Sequence, residues 1–305
     1  MQRRDFLRHL GLGLAAGWVA GPWRPSLAPA GLPGPRLALL ADAHLQDGEA
    51  RRAPAQALAR AVAEINGLSP APDLILFAGD LAHDGNTKAL ALGREILADL
   101  PGPLAAVMGE GDHQGGDGAA WKALLGEPRF SRSYPGFHLL GLQTSPASSP
   151  QGPVFEVGQE QRGWLAGELA RIDGAKPLVV LSHAPLPEIY RPWGQWTRDG
   201  ALVLNLLSRF PRVYCFHGHV HRAAVSSQLS AFSQDLTGFD DLSPSENGKR
   251  KTENHPLPAT AWPLPSPLQG TPAFPCPGLG PGGCGWGWAT LGANDLRYQP
   301  RVFQV

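Results

Sequence analysis

LALLADAH (residues 37–44) and LILFAGD (residues 74–80) are built alike: a short apolar run, then a small residue, then Asp42 or Asp80. Uninterrupted apolar runs of this length, bounded by polar residues, are expected of strands buried on both faces. Three more follow the same plan, Leu104 to Met108, Leu178 to Leu181 and Val213 to Phe216. Between the five lie stretches with helical spacing of apolar residues, Ala53 to Ile65, Thr87 to Leu97, Gln159 to Ile172 and Ala201 to Phe210. Strands alternating with helices predict an α/β domain whose ligands sit at the carboxyl ends of the strands.

Those ends carry metal-ligand residue types. Asp42 and His44 follow the first run, Gly79-Asp80 the second and Gly111-Asp112-His113 the one at Leu104. Ser182-His183 ends the fourth, and Gly218-His219-Val220-His221 ends the fifth. Residues two apart on an extended chain point the same way, so Asp42 and His44 are placed to act together. Imidazoles and carboxylates without thiolates suit divalent Mn, Fe or Zn. Glycines at 79, 111 and 218 fit a backbone that comes close to an ion.

Hydrophobic residues make up 43% of the 305, enough for a sizeable core. Lys plus Arg and Asp plus Glu stand at 26 each, so no basic excess points to nucleic acid or an anionic membrane as the main partner. The N-terminus reads as a sorting signal over residues 1–30. Arg3-Arg4 precedes Phe6-Leu7 and Arg8, an apolar run from Leu10 to Ala20 follows, and Ala28-Pro29-Ala30 has the form of a cleavage site. That order resembles a twin-arginine export signal, and the apolar run is too short to span a bilayer. The expectation is passage through the twin-arginine translocase to the periplasm or the exterior, with no stable membrane insertion of the mature chain.

The remaining domain, residues 31–305, loses its alternating pattern between residues 226 and 285. The first part is polar, and Pro256 to Pro281 is dense in proline. A long, irregular excursion is expected there, followed by a sheet segment from Trp286 to Val305. Of the three cysteines, Cys215 falls in an apolar run and reads as a buried thiol. Cys276 and Cys284 either close a short disulfide loop or stay free.

The order D-x-H, G-D, G-N-H-D/E, H, G-H-x-H resembles the calcineurin-like metallophosphoesterases from about Leu37 to His221, and Trp164-Leu165 and Ser182-His183-Ala184-Pro185-Leu186 are also similar. The resemblance implies a four-layer αββα sandwich of two mixed β-sheets with two divalent metal ions at the strand ends. Asp42, His44 and His221 would hold one ion, and Asp112, His183 and His219 the other, with Asp80 bridging. His113 would stand beside the leaving group as general acid. The implied reaction is hydrolysis of a phosphomonoester or phosphodiester of a small molecule, with a bridging hydroxide as nucleophile. A metal-bearing scaffold with little turnover is the alternative.

In this register Asp112 replaces the family's Asn and Gln114 its acidic residue. Glu110 is set aside, because only Gly111-Asp112-His113 keeps a His next to the ligand. Purple acid phosphatases have a Tyr three residues after the bridging Asp. His83 stands there, so tyrosinate-to-iron chemistry is not expected. Two readings stay open for His83, a phosphate contact or a surface loop residue. Arg191, Trp193 and Arg222 are further substrate-contact candidates.

Overall fold

The computed structural model describes residues 34–113, 118–147, 154–187, 196–221, 264–265, 272–276, 278–279, 284–292 and 295–303. The expected export signal, Arg191, Trp193, Arg222 and most of 226–285 lie outside them.

Each of the five apolar runs forms a strand: β1 (Arg36–Leu40), β2 (Leu74–Phe77), β3 (Leu104–Ala106), β8 (Leu178–Ser182) and β9 (Val213–His217). Between β3 and β8 come four strands beyond the five expected. They are β4 (Phe130–Ser133), β5 (His138–Leu142), β6 (Ser145–Ala147) and β7 (Val154–Glu156). Of these only β5 is an apolar run buried throughout. The chain adds β10 (Leu264–Pro265), β11 (Pro272–Pro275), β12 (Cys284–Leu291) and β13 (Leu296–Phe303). The expected irregular stretch is therefore corrected where it is described. β11 pairs parallel with β9, and β12 already begins at Cys284.

Two large mixed sheets result. The first runs β13-β12-β1-β2-β3, with β1, β2 and β3 parallel; the second runs β10-β11-β9-β8-β5-β4, with β5, β8, β9 and β11 parallel. β6 and β7 make a separate hairpin. Alternate side chains of β1 enter different cores. Leu37 and Leu39 pack with Val179 and Leu181 of β8 and Phe216 of β9. Ala38 and Leu40 pack with Leu58, Val62 and Ile65 of the helix Ala53–Asn66 and with Leu90 of the helix Thr87–Leu97. On the far side of the second sheet, Val180 and Cys215 meet Leu165 and Leu204 of the helices Gln159–Leu169 and Gly200–Leu207. Burying a Leu such as Leu37 or Leu39 is worth about 1.5–3 kcal/mol. A one-residue slip of β1 would turn these leucines to the wrong core.

All three cysteines are free thiols, which corrects the disulfide expectation. Cys276 is buried beside β9, its N–H donating to the His217 carbonyl, while the Cys284 thiol meets the Leu279 carbonyl at 3.4 Å. Burial pushes the Cys215 thiol up to about 12, so it stays protonated. No helix among the described residues is long and apolar enough to cross a membrane.

Candidate metal centre

Because β1, β2 and β3 run parallel, their carboxyl ends deliver Asp42, Asp80 and Glu110 to one edge of the first sheet. β8 and β9, also parallel, deliver His183, His219 and His221 from the second. One sheet thus supplies the acids and the other three of the four imidazoles. They converge in two groups, Asp42, His44, Asp80 and His221, and Glu110, His183 and His219. Within each group the ligand-type atoms lie within 4.8 Å of one another.

Buried Asp80 links the groups. Its Oδ2 is 3.6 Å from His44 Nε2 and 3.6 Å from His183 Nε2. His44 Nε2 and His221 Nε2 face each other at 2.8 Å. In the second group Glu110 Oε2 is 2.6 Å from His183 Nε2, and Oε1 is 3.0 Å from His219 Nδ1. His183 Nδ1 lies 2.7 Å from the Ala78 carbonyl, which can only accept, so Nδ1 carries the hydrogen and Nε2 faces the acids. Phe155 of the β6–β7 hairpin sets its ring 4.6 Å from that of His219, walling this side with hydrocarbon.

The backbone bends sharply to make these approaches. Asp42, His44, Asp80, His219 and His221 all hold φ between 47° and 65°, the left-handed region that L-residues other than glycine rarely adopt. Such strain concentrates at functional sites. Gly109 is required by its surroundings: an added Cβ would lie 2.1 Å from Asp80 Oδ1.

Glu110 Oε2, His183 Nε2 and both ring nitrogens of His219 are buried without hydrogen-bonding geometry to any partner. Buried polar groups in contact but without aligned hydrogen bonds are costly unless something occupies the space between them. An N/O donor set with this defect fits divalent cations. Charges shift accordingly. Burial raises the Asp42 carboxyl well above its usual range, with nearby Asp80 adding to the rise. Burial lowers His44, and it lowers His221 to about 4, leaving both imidazoles neutral and ready to ligate. His183 goes the other way. Burial opposes its charge, but Asp80, Glu110 and Asp42 together raise it well above 6.5.

Asp112 does not join either group. Its Oδ2 accepts from the backbone N–H of Asp80 (2.8 Å) and Gly109 (2.9 Å), and its Oδ1 from that of Ala82 (2.8 Å). Burial and Asp80 push this carboxyl up to about 7, against the pull of those N–H donors. The expectation that Asp112 faces the ions is corrected: its oxygens are spent on backbone, and Glu110 stands with the imidazoles instead. The motif G-N-H-D therefore falls on Gly109-Glu110-Gly111-Asp112, with Glu in place of Asn and Gly in place of His. An acid one residue beyond Gly109 was the available signal, and the adjacency of Asp112 and His113 drew the register two residues too far. His113 also stays out of both groups. Its Nε2 is buried without a hydrogen-bond partner. Phe155 had no sequence signal at all.

The calcineurin-like phosphoesterase family matches residues 35–223. A glycerophosphodiester phosphodiesterase of Enterobacter lignolyticus is 26% identical over 60% of this chain and 73% of its own length. A cAMP/cGMP dual specificity phosphodiesterase of Mycobacterium tuberculosis is 30% identical over 65% of this chain and 68% of its own. A 3',5'-cyclic adenosine monophosphate phosphodiesterase of Escherichia coli is 28% identical, and the match spans 49% of this chain and about half (54%) of that enzyme. The crystal structure of a dimetal phosphatase from Danio rerio shares the fold, with a TM-score of 0.56, 15% identity and coverage of 88% of this chain and 96% of that one. With the family match over most of the described core and the acids and imidazoles of its motifs gathered at one strand edge, the chain belongs to the calcineurin-like phosphoesterase family.

Proposed function

We propose that this phosphoesterase hydrolyses phosphodiesters at a centre of two divalent ions. Asp42, His44 and His221 would hold one ion and Glu110, His183 and His219 the other, with Asp80 shared by both groups. The carrying observation is the pair of ligand groups joined through one buried carboxylate. When bound, the ions supply positive charge to the phosphoryl oxygens and an activated water for in-line attack. The protein's part is positioning. The Ala78 carbonyl fixes the His183 ring, the Asp112 clamp fixes the Asp80 and Gly109 backbone, and Phe155 keeps water from one flank.

Charge favours the diester. Three carboxylates, from Asp42, Asp80 and Glu110, leave two divalent ions with a net charge of about plus one. A diester monoanion needs less compensation than a monoester dianion. The relatives named as glycerophosphodiester and cyclic-nucleotide phosphodiesterases support the same class. The test is hydrolysis of bis(p-nitrophenyl) phosphate against p-nitrophenyl phosphate by manganese-loaded protein. A higher kcat/KM for the diester is expected, and two bound ions with no diester cleavage would refute the reading.

The three cores, helix against sheet, sheet against sheet and sheet against helix, support a four-layer αββα arrangement. Arg3-Arg4 before the apolar run supports twin-arginine export to the periplasm or beyond. Arg3→Lys with Arg4→Lys should trap precursor in the cytoplasm, and unimpaired export would refute that route.

A further inference from the structure

Two loops form the rim of the centre beside Asp80, and one of them lacks a side chain the family motif provides. Gly111 stands where the pattern has an imidazole, and an added Cβ there would lie 2.7 Å from the Ala82 carbonyl oxygen. The neighbouring loop, residues 81–86, is fastened to it. The Gly85 N–H donates to the Gly111 carbonyl (2.7 Å), and the Ala82 N–H to Asp112 Oδ1 (2.8 Å). The His83 N–H donates to the Leu45 carbonyl (2.8 Å), so the backbone on both sides of this histidine is held.

The His83 side chain rises from that anchored loop next to the ions' place. Its ring stands edge-on to His44 with centroids 6.3 Å apart, yet it belongs to neither ligand group. It is 58% exposed, and its Nε2 is 3.4 Å from Asp84 Oδ2, a contact loose enough to yield to a substrate oxygen. Asp84 holds φ at 54°, and among the described residues every other non-glycine in that region is one of the seven ligand-type residues. The strain at the centre thus extends to the turn that presents His83.

We propose that His83 is the substrate-facing imidazole of this centre, hydrogen-bonding an oxygen of the bound phosphoester in place of the side chain missing at Gly111. The inference rests on the phosphodiesterase reading above. A positioned donor at an oxygen that gains charge stabilises the transition state more than the ground state. It matters most when the leaving group is a poor one.

The test compares the parent, His83→Ala, His83→Gln and His113→Ala, all manganese-loaded. Three quantities are read: ions per chain, affinity for inorganic phosphate by calorimetry, and kcat/KM on a dialkyl and a bis(p-nitrophenyl) phosphodiester. His83→Ala should keep two ions, bind phosphate roughly tenfold more weakly and lose about 10²-fold on the dialkyl ester. The loss on the nitrophenyl ester should be smaller, and His83→Gln should recover part of the phosphate affinity. Parent-like phosphate binding in His83→Ala, equal losses on both esters, or the same losses in His113→Ala alone would each overturn the proposal. A parent that binds two ions and phosphate but cleaves neither ester would sink the phosphodiesterase reading. Phosphate affinity would then still decide whether His83 faces the ligand. A parent that fails to bind phosphate overturns both.

Discussion

The two ligand groups are made from the same residue types but sit in different surroundings. Asp42, His44, Asp80 and His221 open outward, with the His221 side chain 40% exposed. The group of Glu110, His183 and His219 is sealed at its imidazoles, with His183 fully buried and Phe155 against His219, while Glu110 keeps 30% of its side chain exposed. In the open group the imidazoles are lowered and neutral, whereas His183 of the sealed group is raised by its own Glu110 and by Asp80 and Asp42 of the open one. Where burial outweighs the neighbouring acids an imidazole is neutral; where the acids outweigh burial it keeps its proton. The imidazoles of the open group are thus prepared to ligate, whereas His183 must first give up a proton.

Breaking the link between the groups should have the largest effect. Asp80→Asn removes the carboxylate charge that both groups share, so it should lower the affinity for both ions and cut kcat/KM on the order of 10³-fold or more. Loss of a single ion, read by metal analysis, would show that the groups are independent.

Next comes the clamp that keeps the groups in register. Asp112→Ala strands three buried backbone N–H donors and should cost about 3–5 kcal/mol of stability, measured by denaturant unfolding of the metal-free protein. A mild change, under about 1 kcal/mol, would mean that water replaces the carboxylate at little cost.

Acidification sharpens the contrast. His183 is raised in the metal-free protein, so at neutral pH the incoming ion must displace its proton. Affinity at the sealed group should therefore rise with pH, by about tenfold per unit for one proton, until pH passes the raised value of His183. The raised Asp42 carboxyl acts with the same sign at the open group. His44 and His221, both lowered, add nothing near neutral pH. Calorimetry in buffers of different ionisation enthalpy should detect proton release on loading, and none would contradict the assignment of charge.

Smallest is the effect of the acid that the family motif lacks. Glu110→Asn removes one negative charge from the sealed group, and one charge at 4 Å is worth about 1 kcal/mol when screened as in water. The monoester-to-diester ratio of kcat/KM should rise roughly fivefold, and a ratio that stays put would remove Glu110 from substrate selection.

The sequence made the open group legible because Asp42, His44, Asp80 and His221 lie directly after apolar parallel strands. Their positions follow from strand direction alone. His183 and His219 were legible for the same reason. The third member of the sealed group was not, because Glu110 and Asp112 are both acids in one short turn. Which of them faces an ion depends on which one the backbone N–H groups of Asp80, Ala82 and Gly109 capture. The strands β4 and β6 were also hidden. FSRS of β4 and SPA of β6 are half-exposed and carry no apolar run, so only pairing with their neighbours makes them strands. The helix Thr87–Leu97 begins and ends where its periodicity predicted, with Asn86 capping the Lys88 and Ala89 N–H groups.

Anomalous diffraction at the manganese edge from crystals of the loaded protein tests the two-ion claim most directly. The account predicts two peaks, one within bonding distance of Asp42, His44 and His221, the other of Glu110, His183 and His219. Asp80 should lie between the peaks, and Asp112 should remain on the backbone N–H groups. A single peak, or a second ion bound by Asp112 with Glu110 turned away, would contradict it.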